Sequence, residues 1–456
     1  MPQRAVPAPA PGSGTGASGR TPAARSLSSL TPFRYRAFTL LWTAGLVSTV
    51  GSWMQTVAVG ALVVANTGQA TWAVLVAAGA FLPIGVLSPV GGALADRLPR
   101  RPVLVIGNLV AAGTAAVIAV EVAAGRDSPW IVVLLVTVQG SASALIGPFQ
   151  QAILPDLVPR SEFLAAASLN SAQFNLGRII GPALAGATVA AFGYPMAFVA
   201  NAISFLAVVV AIFFIRLAPP AGEHAGLVES LRTGFVQARR EPSCAAAIGM
   251  IAMVAFVASP FIALVPVMAQ HLSGSGGRAV AATTALLTTA QGVGAVVGAL
   301  LLAPLAGRIG RGRVLMLSLA LLPVTLAGYA TSASPWWGAA ALFAVGLVYI
   351  GVLSGLSTVV QLRAPQAYRG RVLSFFLVAL GVSYPIGSLV QGPIIDRIGI
   401  GWTTAGAAGL LLALLLATAI WRPGVLRALA GDGGAAQSAA DGALVARDPT
   451  EPGAGR

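Results

Sequence analysis

A guanidinium buried in an apolar run is expensive unless something uses it, and this sequence places one there. Arg178 falls near the middle of the hydrophobic stretch 164–190, with Asn175 and Gly177 before it and Gly181, Pro182 and Gly186 after it. A charge at that depth must face a protein interior or a watered cavity. Arg178 therefore reads in one of two ways. It is a contact for an anion or substrate, or it is half of a structural pair with Asp156, Glu121 or backbone carbonyls as partners. Glu121 is the only acid clearly inside an apolar run and hence the candidate proton carrier, although its place near a run's end also suits a solvated helix terminus. Asp96 follows Gly92-Ala-Leu-Ala and precedes Arg97, Arg100 and Arg101. A carboxylate so placed can seat against the positive N-terminal end of another helix. Trp53, Gln55, Gln139, Gln173, Gln291, Gln361 and Tyr384 are polar or aromatic side chains inside apolar runs. Together they suit a cavity for an amphipathic organic molecule; taken singly, hydrogen bonding between helices explains each as well.

Other chemistries are excluded. Cys244 is the only cysteine, and the two histidines, His224 and His271, lie between apolar runs, so neither an intrachain disulfide nor a thiolate metal cluster can form and a zinc site is not expected. No nucleophile–base constellation is present, so no catalytic residue is assigned. All 27 basic residues are arginine, and without lysine there is no phosphate-binding loop for ATP. No cofactor is expected.

The elements that must position these residues are twelve hydrophobic runs, near 38–65, 71–94, 102–124, 129–154, 164–190, 194–215, 243–269, 279–304, 314–332, 335–361, 370–393 and 401–421. A helix needs about 20 apolar residues to cross the hydrocarbon core. Charged residues are 9% of the chain and hydrophobic ones 57%, a balance that suits lipid and not water. Lipid forces helices, because each backbone polar group must be satisfied within its own segment. The runs are continuous and twice the length of the alternating strands of a barrel. The net charge of +14 does not indicate nucleic acid, since it is spread over the loops between runs and not gathered in one domain. Arginines fill alternate loops: Arg97, Arg100 and Arg101; Arg160; Arg216, Arg232, Arg239 and Arg240; Arg308, Arg311 and Arg313; Arg363, Arg369 and Arg371. The opposite loops hold only Arg126, Arg278 and Arg397. Arginine-rich short loops stay in the cytoplasm, which places both termini there.

Residues 1–33 and 423–456 read as disordered tails, rich in Pro, Ala, Gly and Ser. Residues 34–216 and 243–422 are six-helix bundles, joined by a linker, 217–242. In it, Leu227–Arg240 reads equally as an amphipathic helix on the membrane surface or as a plain connector. The halves repeat. Pro159, Ser168, Gly181, Gly186 and Gly193 match Pro365, Ser374, Gly387, Gly392 and Gly399 at one offset. Leu94, Ala95, Arg97, Arg100, Val103 and Leu104 match Leu305, Ala306, Arg308, Arg311, Val314 and Leu315 at another. Parallel six-helix repeats with a site between them are a secondary-transporter plan.

The stretch from Gly92 to Arg101 resembles the loop signature of the major facilitator superfamily, with Pro99 where glycine is usual. Pro148, Gln151, the run Leu154–Arg160, Asn170 and the run Asn175–Gly186 resemble the fourth and fifth helices of its drug- and siderophore-efflux branch, which includes enterobactin exporters and macrolide-efflux proteins. Gly177, Gly181 and Pro182 also match the antiporter signature of the fifth helix, with Ala185 and Gly186 in place of its closing glycine pair. The resemblance covers residues 34–421. It implies an all-α integral membrane protein of twelve helices in two pseudo-symmetric bundles, acting as a monomer in a bacterial cytoplasmic membrane. It implies export of a small amphipathic molecule by alternating access in exchange for protons, with Gly92, Asp96, Arg97 and Arg100 as a conformational latch that docks near Arg369 or Arg371. An importer of the same fold, or a non-transporting sensor or assembly factor built on it, are the rival expectations.

Overall fold

The structure, a computed structural model, describes residues 30–217 and 236–431. Each hydrophobic run forms a helix. The first bundle comprises α1 (Arg36–Thr67), α2 (Ala70–Ala95), α3 (Arg100–Ala123), α4 (Pro129–Ala152), α5 (Phe163–Phe192) and α6 (Tyr194–Phe213). The second comprises α7 (Pro242–Ser273), α8 (Gly277–Ile309), α9 (Arg311–Ala330), α10 (Pro335–Arg363), α11 (Arg369–Ile398) and α12 (Ile400–Trp421). α7 is broken between Val257 and Phe261. Pro260 cannot donate a backbone hydrogen bond, and Ser259 turns its hydroxyl to Val254 O and to the Tyr349 hydroxyl at the break.

Eleven of these helices are apolar enough as well as long enough to cross a membrane. The remaining one is α5, which carries Asn170, Gln173, Asn175 and Arg178. It packs between α1 and α8, so its polar face meets protein and not lipid. The outer faces are the reverse. Trp336, Trp402 and Trp421, all near helix ends, are 75–81% exposed, as expected of rings at a membrane interface.

The packing repeats as the sequence does. α1 lies on α5 and α6, α2 on α4, and α3 on α6; in the second bundle α7 lies on α11 and α12, α8 on α10, and α9 on α12. Between the bundles, α2 packs on α11 and α8 packs on α5, the same pairing seen from either half. The matched glycines Gly193 and Gly399 end α5 and α11 with φ of 81° and 87°. That left-handed region strains any side-chain-bearing residue, which explains glycine at both repeats.

Helical structure reaches further toward both ends than composition suggests. Thr31–Arg34 forms a short 3₁₀ turn, and Phe33 packs edge-on against Phe38 and Trp42. At the other end, Pro423–Ala430 is a further helix, α13, not tail. Leu429 is buried, Ala430 fits against Gly312 of α9, and Arg363 donates to Gly431 O at 3.0 Å. Eight residues are too short for a periodic signal, so docking alone makes this helix visible. Residues 218–235, most of the expected amphipathic segment, lie outside the described residues, as do 1–29 and 432–456; 236–240 are helical.

Candidate functional site

The two bundles are tied together at the arginine-poor end. Asp396, in the last turn of α11, accepts from the N–H groups of Ala70 at 2.6 Å and Thr71 at 3.1 Å, and from the Thr71 hydroxyl. Ala70 and Thr71 open α2, so the carboxylate caps the positive end of a helix from the other bundle. Tyr194 donates its hydroxyl to Gly277 O at 2.7 Å, and Gln270 donates to Val64 O at 3.2 Å. Above this seam Gln69, Gln270, His271 and Asp396 help line a vestibule of about 490 Å³.

Two tight seams run from there toward the middle. On α2 and α11, Gly392 faces Val74, Phe81 meets Tyr384 edge-on with ring centroids 5.6 Å apart, and Gly85 faces Gly381. A Cβ on Gly85 would lie 3.1 Å from the Gly381 backbone and 2.9 Å from a Val382 methyl. On α5 and α8, Gly186 faces Ala285, and Gly292 faces the backbone of Arg178. Small residues thus let helices of different bundles approach closely. Toward the arginine-rich end the partnership stops. Asp96 is half-buried beyond the end of α2, and its carboxylate has no hydrogen bond or ion pair among the described residues. Arg369, at the start of α11, is exposed, and Arg371 lies 5.8 Å over the Tyr368 ring. Among the described residues, the hydrogen bonds and glycine contacts between the bundles thus run from the arginine-poor end to the middle and go no further.

The residues singled out by the sequence distribute unevenly over this framework. Trp53 and Arg178 are together: the guanidinium lies 5.9 Å over the indole ring, which also meets Phe174 edge-on at 5.8 Å. Neither proposed acid partner is with Arg178. Asp156 is paired with Arg100, and Glu121 with Arg126 at 3.3 Å. Glu121 sits at the arginine-poor end of α3, a helix that packs on α4 and α6 of its own bundle and so stands apart from the seam. Gln55 and Gln139 are bonded to each other within the first bundle. Gln55 donates to Gln139 at 2.6 Å and accepts from Asn201 at 2.6 Å, inside the first bundle, where Gly51 makes room for Asn201 and Ser204. Gln173 donates to Thr49 at 3.3 Å and so ties α5 to α1. Asn175 bonds Ser171 O one turn back. Gln361 is exposed near the arginine-rich end of α10, bonded to Ser357. Gln291 and Tyr384 are buried, and Gln291 Nε2 and the Tyr384 hydroxyl have no partner.

The glycines of α5 act in packing. A Cβ on Gly177 would meet Thr49, one on Gly181 would lie 2.5 Å from Trp53 Cβ, and Pro182 is buried beside them. Gly92 faces open space, so it brings no helices together; Gly91 does, against the Ala144 and Leu145 carbonyls of α4. Arg97 is exposed. Sequence reasoning missed Tyr349, Ser259 and Asp396. Asp396 carried a usable signal, an acid at the C-terminal end of α11, but only the fold shows that α2 begins beside it. No group of three or more His, Cys, Asp or Glu side chains suited to a metal exists among the described residues.

Comparison with known proteins agrees with this geometry. The sequence matches the family described as transmembrane secretion effector over residues 27–432. It is 27% identical over 393 residues to the multidrug efflux pump Tap of Mycolicibacterium fortuitum, covering 84% of this chain and 95% of that protein. It is 22% identical over 376 residues to macrolide efflux protein A of Streptococcus pyogenes, covering 80% and 90%. A bacterial homologue of the human lysosomal transporter Spinster, in an inward-facing and unoccupied conformation, superposes with a TM-score of 0.65 at 15% identity, over 88% of this chain and 97% of that one. With two pseudo-symmetric six-helix bundles meeting through α2–α11 and α5–α8, and with that match over most of its length, the chain belongs to the transmembrane secretion effector family of the major facilitator superfamily.

Proposed function

We propose that this membrane transporter exports a small amphipathic organic molecule from the cytoplasm by alternating access, with protons moving inward in exchange. The observation that carries the reading is the asymmetric contact between the bundles: capped and glycine-packed at one end, unpartnered at the other. With the arginine-rich loops in the cytoplasm, both termini are cytoplasmic and this state opens inward, ready to accept a molecule from the cell. Efflux pumps among the relatives support the outward direction.

Two carboxylates on one antiparallel helix pair supply the gating. Asp396 at the outer end of α11 caps α2, which holds the outer gate shut. Asp96 at the inner end of α2 stands free in this state, and the start of α11 is its dock when the inner gate closes. Each state then gives one helix N-terminus an acid and releases the other acid to water, so neither state is greatly favoured. The two contacts are of similar kind, and a charge at a helix end is worth about 0.3–2 kcal/mol.

The test uses everted membrane vesicles containing the full chain, an imposed proton gradient, and three amphiphiles: anilinonaphthalene sulfonate as anion, phenylnaphthylamine as neutral molecule and ethidium as cation. Gradient-dependent accumulation of at least one, absent from vesicles without the protein, is the expected result. Accumulation of none refutes export, and accumulation only in right-side-out vesicles shows an importer.

A further inference from the structure

Arg178 has no counter-ion among the described residues. Its Nε is shielded from solvent without a hydrogen-bond partner, and neither ion pair found among the described residues includes it. Asp156 and Glu121 are engaged by Arg100 and Arg126. The side chain is half-buried on α5 at the level where Gly292 of α8 packs against its backbone. Its surroundings are aromatic and neutral. Trp53 lies under the guanidinium, Phe174 abuts Trp53, and the titratable group of the second bundle that its charge reaches is the Tyr349 phenol, which is already bonded to Ser259 at 2.7 Å. Gln291, next to Gly292, is buried with its Nε2 donor unpartnered.

This layer therefore holds a permanent positive charge, with a buried, unpartnered amide donor beside Gly292 on the facing helix and no anionic acceptor among the described residues. A structural arginine would have an acid or a carbonyl as partner, because an unpaired charge in a membrane interior is strongly penalised, and Arg178 bonds to neither among the described residues. An aromatic wall beside the charge suits an apolar frame. We propose that the molecule bound between the bundles is an amphipathic anion, its carboxylate, sulfonate or enolate oxygens held by Arg178 with Gln291 as a second donor, and its apolar frame against Trp53 and Phe174. A planar guanidinium offers a fork of donors to such a group. The proposal rests on reading the space between the bundles as the transport path, and it names the charge of what that path accepts.

Binding to the purified full-length protein, without any gradient, separates the two readings. Anilinonaphthalene sulfonate and phenylnaphthylamine share an aromatic frame and differ by the anionic group. The wild-type protein binds the sulfonate about tenfold tighter, the scale of a charge-assisted hydrogen bond. Arg178→Gln erases that preference by weakening the sulfonate alone, and Arg178→Lys retains part of it. Equal binding of both probes by the wild type overturns the proposal, as does an Arg178→Gln protein that weakens both alike. Should Arg178→Gln fail to fold, the wild-type preference and the Lys variant still decide. If anion preference persists in binding while no probe accumulates in vesicles, export fails and the anion site stands. Export of phenylnaphthylamine and ethidium without anion preference has the opposite meaning.

Discussion

Gln55 shows how little a polar residue's type says about its role. Its amide is only 4% exposed and has a partner on each side, Gln139 and Asn201. The three side chains staple α1, α4 and α6 within one bundle. Replacing Gln55 by Leu leaves the Asn201 amide short of an acceptor in a buried site. Interhelical hydrogen bonds in membranes average about 0.6 kcal/mol and reach about 1.7, so we expect a loss of about 1 kcal/mol. Thermal unfolding in detergent measures it, with probe binding unchanged; weakened binding at unchanged stability would put Gln55 in the path after all. Arg178 is the contrasting case, a charge without a satisfied partner, and the difference between the two was not readable from residue type. Both are polar residues in apolar runs, and only the positions of the neighbouring helices distinguish them.

At the scale of elements, the proposed cycle places the gating on the α2–α11 pair. Asp396→Asn keeps the shape but removes the charge that faces the α2 N-terminus. Losing about 1–2 kcal/mol from the outer seam moves the balance between states about 5–30-fold outward. Asp96→Asn moves it inward, because its contact belongs to the opposite state. Single cysteines placed near Thr71 and near Arg97 report each gate, and Cys244 gives little background because it is buried. Asp396→Asn should raise labelling near Thr71 and lower it near Arg97, and Asp96→Asn the reverse; shifts in the same direction in both variants would dismiss the paired-latch reading. Legibility differed along these elements. All twelve long helices were evident from apolar runs, because lipid makes run length nearly synonymous with span. α13 was not, since its eight residues gain order only from Leu429 and the Arg363–Gly431 contact.

In the proposed cycle the halves rock about seams that fit without gaps. Gly85, Gly186 and Gly381 allow that fit, with less than a side chain's width between helices of different bundles. Gly85→Leu is expected to fold, because each bundle keeps its own core, yet to lose transport about tenfold or more as the outer gate fails to close; an effect of that size corresponds to about 1.4 kcal/mol. Everted-vesicle accumulation together with gel filtration checks this, and full transport by a folded variant would show that the seam does not set closure. A substitution at Gly113 of α3, which meets nothing and stands apart from the seams, is the matched control.

The sequence by itself determined the solvent, the number of spans, the arginine asymmetry and the repeat, because all of these follow from local hydropathy, loop charge and constant offsets. It also determined the family, through the motifs around Asp96 and Arg178. Which polar residues are structural and which remain unpartnered was decided only by the tertiary structure. So was the closure at one end, since Asp396 and Thr71 are separated by more than three hundred residues in the chain and meet only when the two bundles pack. Hydropathy is a property of a segment; a counter-ion, or its absence, is a property of what the fold brings beside it.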